Sequence, residues 1–534
     1  MPFVTGPLPQ RLKLVHGFGA VAFGVKDSGF SFFLLPFYNL VLGVDASTVG
    51  AALAAALVID ALVDPLIGHL SDRTYTKWGR RLPWLYLAPW PLALVWTMLW
   101  SPPFTGTPGF WDIVALAVGV RLLLSACEVP SVSLVPEITD DYDDRTTLFR
   151  YRFLSGWLGG LLMMVLTFTV FLPTPQSQLQ PEGYASYGLF GAALIALSVI
   201  GSAAAQHRIV AQLPERRPPP FSITGAFAEI FDAFREKAFV IFALGGLAAY
   251  VLQGMTFSIT QYVNLYVWQF SELAFQLYPA VLFLSVVLMF VIVGPLHRRW
   301  GKPKSAALGA LVGLAFYCSP YVFYLAGAWP TVGTTASTAL LYGFLVCANT
   351  ASVVAIISAT SMVAEIVEAF EERTGQRAEG TFYAGNWLVQ KCATGGGILL
   401  TSLIVQSIDL APGTPQAEVA PETVRQLVWL FMLAATVLAS IAAFWLARFP
   451  ISREQHDVAM NRLAEAGLSD RADVKLIDYR DLNGKFDKII SIEMFEAVGQ
   501  AYWETYFRAV SSLLKDGGRA VLQAITIEDN AFDE

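Results

Sequence analysis

"DALVDPLIGHLSDRTYTKWGRR", residues 60–81, puts two acids, Asp60 and Asp64, at the end of an apolar stretch and follows them with a cluster of bases. Residues 49–59, just before it, carry no charge. The i,i+4 spacing places both carboxylates on one helix face, which Gly68 continues. An ionised acid at a bilayer centre costs on the order of 2.5–3.5 kcal/mol on insertion scales, so a pair of them needs something that offsets the cost. A bound Na⁺, a bound proton or a basic partner would do so, and oxygen-only ligands suit a hard alkali cation. For Asp64 a plainer reading also stands: the acid ends the helix near water and bonds to basic groups there. The run "SDRTYTKWGRR" reads as a topology anchor. It reads equally as a clamp in which Asp72, Arg73, Arg80 and Arg81 pair with other helix ends in one conformational state.

Composition sets this stretch in a membrane. The 534 residues are 55% hydrophobic and 14% charged, against about 25% charged in an ordinary soluble protein. The mean hydropathy is +0.53. Charge-free windows such as Leu82–Trp100, Phe153–Leu172, Gly183–Gln206, Leu273–Leu296 and Leu427–Leu446 are long enough to cross a bilayer. Backbone in lipid must satisfy its own hydrogen bonds, so these windows are helices. About twelve spans are predicted: 14–42, 46–71, 82–101, 110–137, 150–172, 186–206, 238–266, 274–296, 305–327, 333–366, 381–408 and 424–448. Lys13 and His16 lead into the first, which reads as a retained helix rather than a cleaved signal. All four cysteines lie in predicted spans, with no CxxC or Cys/His pair, so neither a disulfide framework nor a zinc site is supported. The net charge of −7 says little about partners, and nucleic acid is not expected among them.

Lys and Arg gather in loops 72–81, 207–237, 297–304 and 371–379, whereas loops 102–109, 173–185, 328–334 and 409–424 carry none. The positive-inside rule then puts both ends in the cytoplasm. The proline-rich, basic loop 207–237 separates a six-helix bundle, 1–206, from a second one, 238–448. "DPLIGHLSDRTYTKWGRR" after the second span is echoed by "GPLHRRWGKPK" after the eighth, without the acids. Two similar halves of six spans resemble the major facilitator architecture, whose binding sites lie near the midplane between the halves.

Further charges interrupt the apolar spans, and such sets usually mark ion or substrate pathways. Lys26 and Asp27 stand side by side in "GVKDSGF"; adjacent residues do not share a helix face, so one of them should point at a cavity. Glu128 sits in "LLLSACEVPSVSLVPEI", either facing a cavity or paired with a neighbour such as Arg121. Pro130 and Pro136 are expected to break that helix and free carbonyls. Arg152 opens the fifth span as a cavity group or an interfacial anchor. Lys391 in "NWLVQKCATGGG" needs a carboxylate or a role at a cation site, and the glycines after it allow close helix packing.

These stretches, with "EVPSVSLVPEITDD" and "MVAEIVEAFEERTGQRAEG", resemble the glycoside–pentoside–hexuronide:cation symporters over roughly residues 10–455. The resemblance implies an all-α polytopic protein of the twelve-helix major facilitator fold that cotransports Na⁺, Li⁺ or H⁺ with its substrate; a monomer without a cofactor is expected. It implies a cation site at Asp60, Asp64 and Glu128, with Asp60 and Asp64 as Na⁺ ligands, and Lys391 close by. It implies a substrate site at Asp27, Glu128, Arg152 and Lys391. Two departures bear on the substrate: the helix-four acid is Glu128 rather than Asp, and Val132 stands where sugar-carrying relatives place a Trp. A glycoside-like small molecule and a lysophospholipid therefore both stay open, in a bacterial-type inner membrane.

After Phe449 the composition changes. Residues 449–534 read as a short soluble α/β tail, with strands in "VKLIDYRDL", "FDKIISIEMF" and "RAVLQAITI", a helix in "GQAYWETYFRAVSSLLK" and a turn at Asp516-Gly517-Gly518. The tail resembles the middle of a cyclopropane-fatty-acyl-phospholipid synthase, in which Glu496 would be a bicarbonate-site acid. The glycine-rich loop that cradles S-adenosylmethionine in such folds is not found here. The tail is therefore expected to be inactive, against the alternative of a membrane-tethered methyltransferase.

Overall fold

The computed structural model describes residues 4, 8–139, 141–211, 232–374, 378–408 and 410–450, and in the tail 479, 482, 484–492 and 502–523. The chain divides into two units, Met1–Ser452 and Arg453–Glu534.

The first unit is helical. Its helices are α1 (Gln10–Val41), α2 (Ala46–Asp72), α3 (Leu82–Leu87), α4 (Pro89–Trp100), α5 (Phe110–Ile138), α6 (Tyr142–Leu166), α7 (Pro181–Val210), α8 (Lys237–Val267), α9 (Glu272–Leu325), α10 (Thr335–Thr374), α11 (Glu379–Ser407) and α12 (Pro421–Leu446). Ten of these described helices, all but α3 and α4, are long and apolar enough to cross a membrane. The sequence reading expects twelve spans, and the difference has local causes. Leu82–Trp100 is divided at Ala88, with Pro89 opening the second piece, so neither piece has the length alone. α9, by contrast, runs for 54 residues, helical on both sides of Gly301 (φ 72°, ψ 169°). The basic loop expected at 297–304 is thus a corner made at one residue, in a backbone region open almost only to glycine.

Pro130 and Pro136 do not break α5, which continues through both to Ile138. Each removes one donor from the helix ladder, a loss that neighbouring helices can accommodate inside a membrane. α1 and α8 instead end in wider π turns at Phe37–Val41 and Val263–Val267, and α6 runs on into one at Thr167–Phe171. Near the first of these, Phe37, Trp100, Tyr184 and Tyr187 pack together, with ring centroids 4.7 Å apart for Phe37–Tyr184 and 4.8 Å for Trp100–Tyr187.

Small residues bring the two halves together. A Cβ on Gly50 of α2 would lie 1.9 Å from Ser402 Oγ of α11, and one on Gly395 of α11 would lie 3.2 Å from Ala54 Cα. On its other side α11 meets α8, where a Cβ on Gly397 would lie 2.2 Å from the Val251 carbonyl oxygen. The "TGGG" run therefore seats α11 between α2 and α8 and fixes the depth of Lys391, one turn earlier. Two hydrogen bonds also cross between the halves: Tyr262 Oη donates to Asn39 Oδ1 at 2.9 Å, and Gln261 Nε2 donates to Gln178 Oε1.

In the second unit, β1 (Phe486–Ile492) and β2 (Leu514–Gln523) pair in parallel, Lys488 opposite Arg519 through Ile492 opposite Gln523. Helix α13 (Trp503–Leu513) lies between them in sequence. These three elements match the expected strand, helix and strand. Asp516-Gly517-Gly518 is an irregularity within β2 rather than a turn before it, with Gly517 at φ 78°. Most of "VKLIDYRDL", and Glu496, lie outside the described residues.

Candidate functional site

α2, α5 and α11 meet at a cluster of charges, two of them, Asp60 and Arg121, buried and two, Asp64 and Lys391, half-buried. Asp60 is 3% exposed and accepts from Arg121 Nη1 of α5 at 2.9 Å. Ser125 Oγ, one turn along α5 from Arg121, lies 3.1 Å from Asp60 Oδ1 and 2.7 Å from Asp64 Oδ1, so its single proton is shared between the two carboxylates. Two i,i+4 pairs on facing helices therefore interlock. Lys391 of α11 closes the cluster from the other half: its Nζ lies 2.9 Å from Asp60 Oδ2 and bonds to Asp64 Oδ2. Two carboxylates and two bases balance in charge, which is how a low-dielectric site tolerates ions at all.

From the sequence, Arg121 enters only in the second of two readings of Glu128, as a neighbour that could pair with it. In the structure Arg121 faces Asp60, with its guanidinium 4.6 Å from the centre of the Phe30 ring. Arg121 and Ser125 repeat the i,i+4 spacing of Asp60 and Asp64, a pattern that marks a shared helix face but not the helix that lies opposite. The cluster also draws on both halves, because Lys391 joins it, although the acids themselves belong to the first half.

The other candidates lie nearby. Glu128 is half-buried on α5, and the charges that act on it are those of Lys26, Lys391, Asp27 and Arg152. Arg152 of α6 is 6% exposed; it donates to Ser131 Oγ at 2.6 Å and lies 5.9 Å from the Phe23 ring centre. Burial and these contacts place Arg152 inside the bundle. Lys26 and Asp27 do form an ion pair, although adjacent residues do not share a helix face. Asp27 remains largely open, its side chain 66% exposed.

The basic loop ties together helix ends within the first half. Arg81 is buried; it pairs with Asp72, donates to Ser71 Oγ at 2.7 Å and reaches Glu137 of α5 at 3.0 Å. Arg80 lies 3.3 Å from the same Glu137, and Arg73 bonds to His69 Nδ1 at 2.8 Å. A counterpart occurs in the second half, where Lys302 beside the Gly301 corner pairs with Glu365 of α10 at 2.9 Å. Among the described residues no three Asp, Glu, His or Cys gather closely enough to hold a metal ion.

Comparison with known proteins places the first unit among transporters. Residues 15–453 match the family model described as MFS/sugar transport protein. An uncharacterized symporter of Synechocystis sp. is 27% identical over 523 residues, covering 83% of this chain and 94% of that protein. The isoprimeverose transporter of Lactiplantibacillus pentosus is 30% identical over 162 residues, 30% of this chain and 33% of the relative. The crystal structure of the nucleoside transporter NupG shares the fold, with a TM-score of 0.58 at 15% identity over 83% of this chain and 100% of that one. Residues 446–533 match mycolic acid cyclopropane synthetase. There a tuberculostearic acid methyltransferase of Mycobacterium tuberculosis is 44% identical over 77 residues, 14% of this chain and 18% of that enzyme.

Proposed function

Since the chain belongs to the MFS/sugar transport protein family, by a match over residues 15–453, we propose that this secondary transporter is a cation-coupled symporter, driven by Na⁺ or H⁺ and working by alternating access. One observation supports the coupling above all: Lys391 belongs to one half and is held by Asp60 and Asp64 of the other. Whatever neutralises Asp64 weakens that hold, so the charge state of the cluster is felt as the tightness with which α2 and α11 are joined. A substrate held between the halves is sensitive to the same movement. By linkage, substrate and cation then raise each other's affinity.

Counting Leu82–Trp100 as a span and dividing α9 at Gly301 turns the ten long helices into the twelve of a six-plus-six transporter. With the basic loops cytoplasmic, both ends lie inside a bacterial-type plasma membrane. The Tyr262–Asn39 and Gln261–Gln178 bonds then close the outer side. The substrate is a glycoside-like molecule recognised by Asp27, Glu128 and Arg152, a reading that the resemblance to an isoprimeverose transporter supports. A second reading, an amphipathic lysolipid, draws on the lipid-enzyme likeness of the tail and on Val132.

The test has two steps. Purified protein is melted with a panel of xylosides, galactosides and lysophosphatidylcholine, with and without Na⁺, since a ligand of the native state raises apparent stability. The hit is then taken up into vesicles under a Na⁺ or a pH gradient. Asp64→Asn is expected to lose gradient-driven accumulation by about 10-fold or more, a loss of coupling worth about 1.4 kcal/mol, while still exchanging substrate. Full accumulation by Asp64→Asn would overturn the assignment. Saturable lysolipid binding with no glycoside effect would select the second reading.

A further inference from the structure

Asp60 is already engaged at both carboxylate oxygens. Its Oδ2 has Arg121 Nη1 and Lys391 Nζ each at 2.9 Å, and its Oδ1 lies 3.1 Å from Ser125 Oγ. A hard alkali cation needs a shell of oxygen ligands. Here two of the three groups touching Asp60 are themselves cations.

The two bases are anchored differently. Arg121 rides on α5, packed beside α2 in the same half, and its guanidinium is held between Asp60 and the Phe30 face of α1. Lys391 rides on α11, in the other half. Rocking of one half against the other draws Lys391 away and leaves Arg121 where it is. Separating Arg121 from Asp60 would strand two buried charges, which is strongly unfavourable.

We propose that Arg121 sets cation specificity: its guanidinium is a permanent, built-in cation at Asp60, so Na⁺ and Li⁺ meet no two-carboxylate site and only Asp64 is left for the coupling ion. The consequence for transport rests on the symport reading above. The binding claim does not, and it is tested without a substrate.

The full chain is purified in detergent and melted across 0 to about 100 mM NaCl or LiCl, with choline chloride holding ionic strength constant, because a saturating ligand of the native state raises the melting temperature. The native protein is expected to show no saturable, cation-specific rise. Arg121→Ala is expected to gain one of a few degrees for Na⁺ or Li⁺. Arg121→Lys, which keeps the charge, is expected to behave as native. A folded Arg121→Ala with no cation response would overturn the proposal. So would a saturable Na⁺ response of the native chain that Asp60→Asn abolishes, a result that needs no Arg121 variant to fold. Uptake driven by a pH gradient alone would agree with both readings. Uptake driven by neither gradient would remove the symport reading and leave the role of Arg121 to the melting curves.

Discussion

Arg121 and Lys391 touch the same carboxylate yet differ in burial, and burial decides what each contributes. Arg121 is 6% exposed and Asp60 3%, so removing one partner leaves the other without compensation in a dry site. Breaking such a pair typically costs about 3–5 kcal/mol, whereas replacing both partners by neutral groups is often close to neutral. Arg121→Gln alone is therefore expected to lower stability by that amount, and Asp60→Asn with Arg121→Gln to recover a large part of it. A double-mutant cycle from denaturant melts checks this; additive losses would mean that the two side chains do not act as a pair. The individual charges were legible in the sequence because a charge in an apolar span has few alternatives to a partner or a pathway. Asp60, Asp64 and Lys391 stood out for that reason, and the structure brings them together. The pairing of Arg121 was not legible, since periodicity gives the face a residue occupies on its own helix but not which helix lies opposite.

At the scale of elements, helix-to-helix distance is set by glycines that carry no charge and leave little trace in hydropathy. α1 crosses α6 so closely that a Cβ on Gly24 would lie 1.8 Å from the Gly156 carbonyl oxygen and 2.4 Å from the Gly160 amide nitrogen. Both obstacles are backbone, so no rotamer change relieves them. Gly24→Ala is expected to push the helices apart at a cost of about 1–3 kcal/mol or more. It would also shift Lys26 and Asp27, two and three residues on, relative to Arg152. A melt of the purified variant, with a fall of several degrees, checks the packing claim; an unchanged melting temperature would show that α1 does not lie against α6 in this way. Helix existence was read correctly because a charge-free window in lipid has little choice but to be helical. Helix ends were read less well. The Gly301 corner hides inside what looks like an ordinary basic loop, and a proline count alone cannot tell α5, which runs through its prolines, from the break at Ala88.

Across the whole molecule, the echo "GPLHRRWGKPK" predicts a repeated fold, and each of the two echoed stretches carries an ion pair to another helix: Arg81 with Glu137 in one, Lys302 with Glu365 in the other. Asp60 and Asp64 have no such counterpart in the echo, so the second half contributes a base where the first contributes acids. The tail obeys a different logic. Its charged, amphipathic sequence makes a parallel strand pair with an intervening helix, and it forms a unit of its own from Arg453 onward. Every side chain in the charge cluster, and every bond named between the two halves, belongs to Met1–Ser452. Removing residues 453–534 should therefore leave the melting temperature of the helical unit unchanged within about 2 °C, since no contact of that cluster is lost and a change below about 0.5 kcal/mol moves the midpoint by no more than that. Substrate-dependent stabilisation should be equally unchanged. The measurement is a side-by-side melt of full-length and shortened protein with the best ligand of the screen. If the shortened chain loses ligand stabilisation but keeps its melting temperature, the tail takes part in substrate handling, and the lipid reading gains over the glycoside one. If it keeps both, the likeness of the tail to a lipid-modifying enzyme carries no weight in choosing the substrate, and the choice falls to the groups around Arg152 and Glu128.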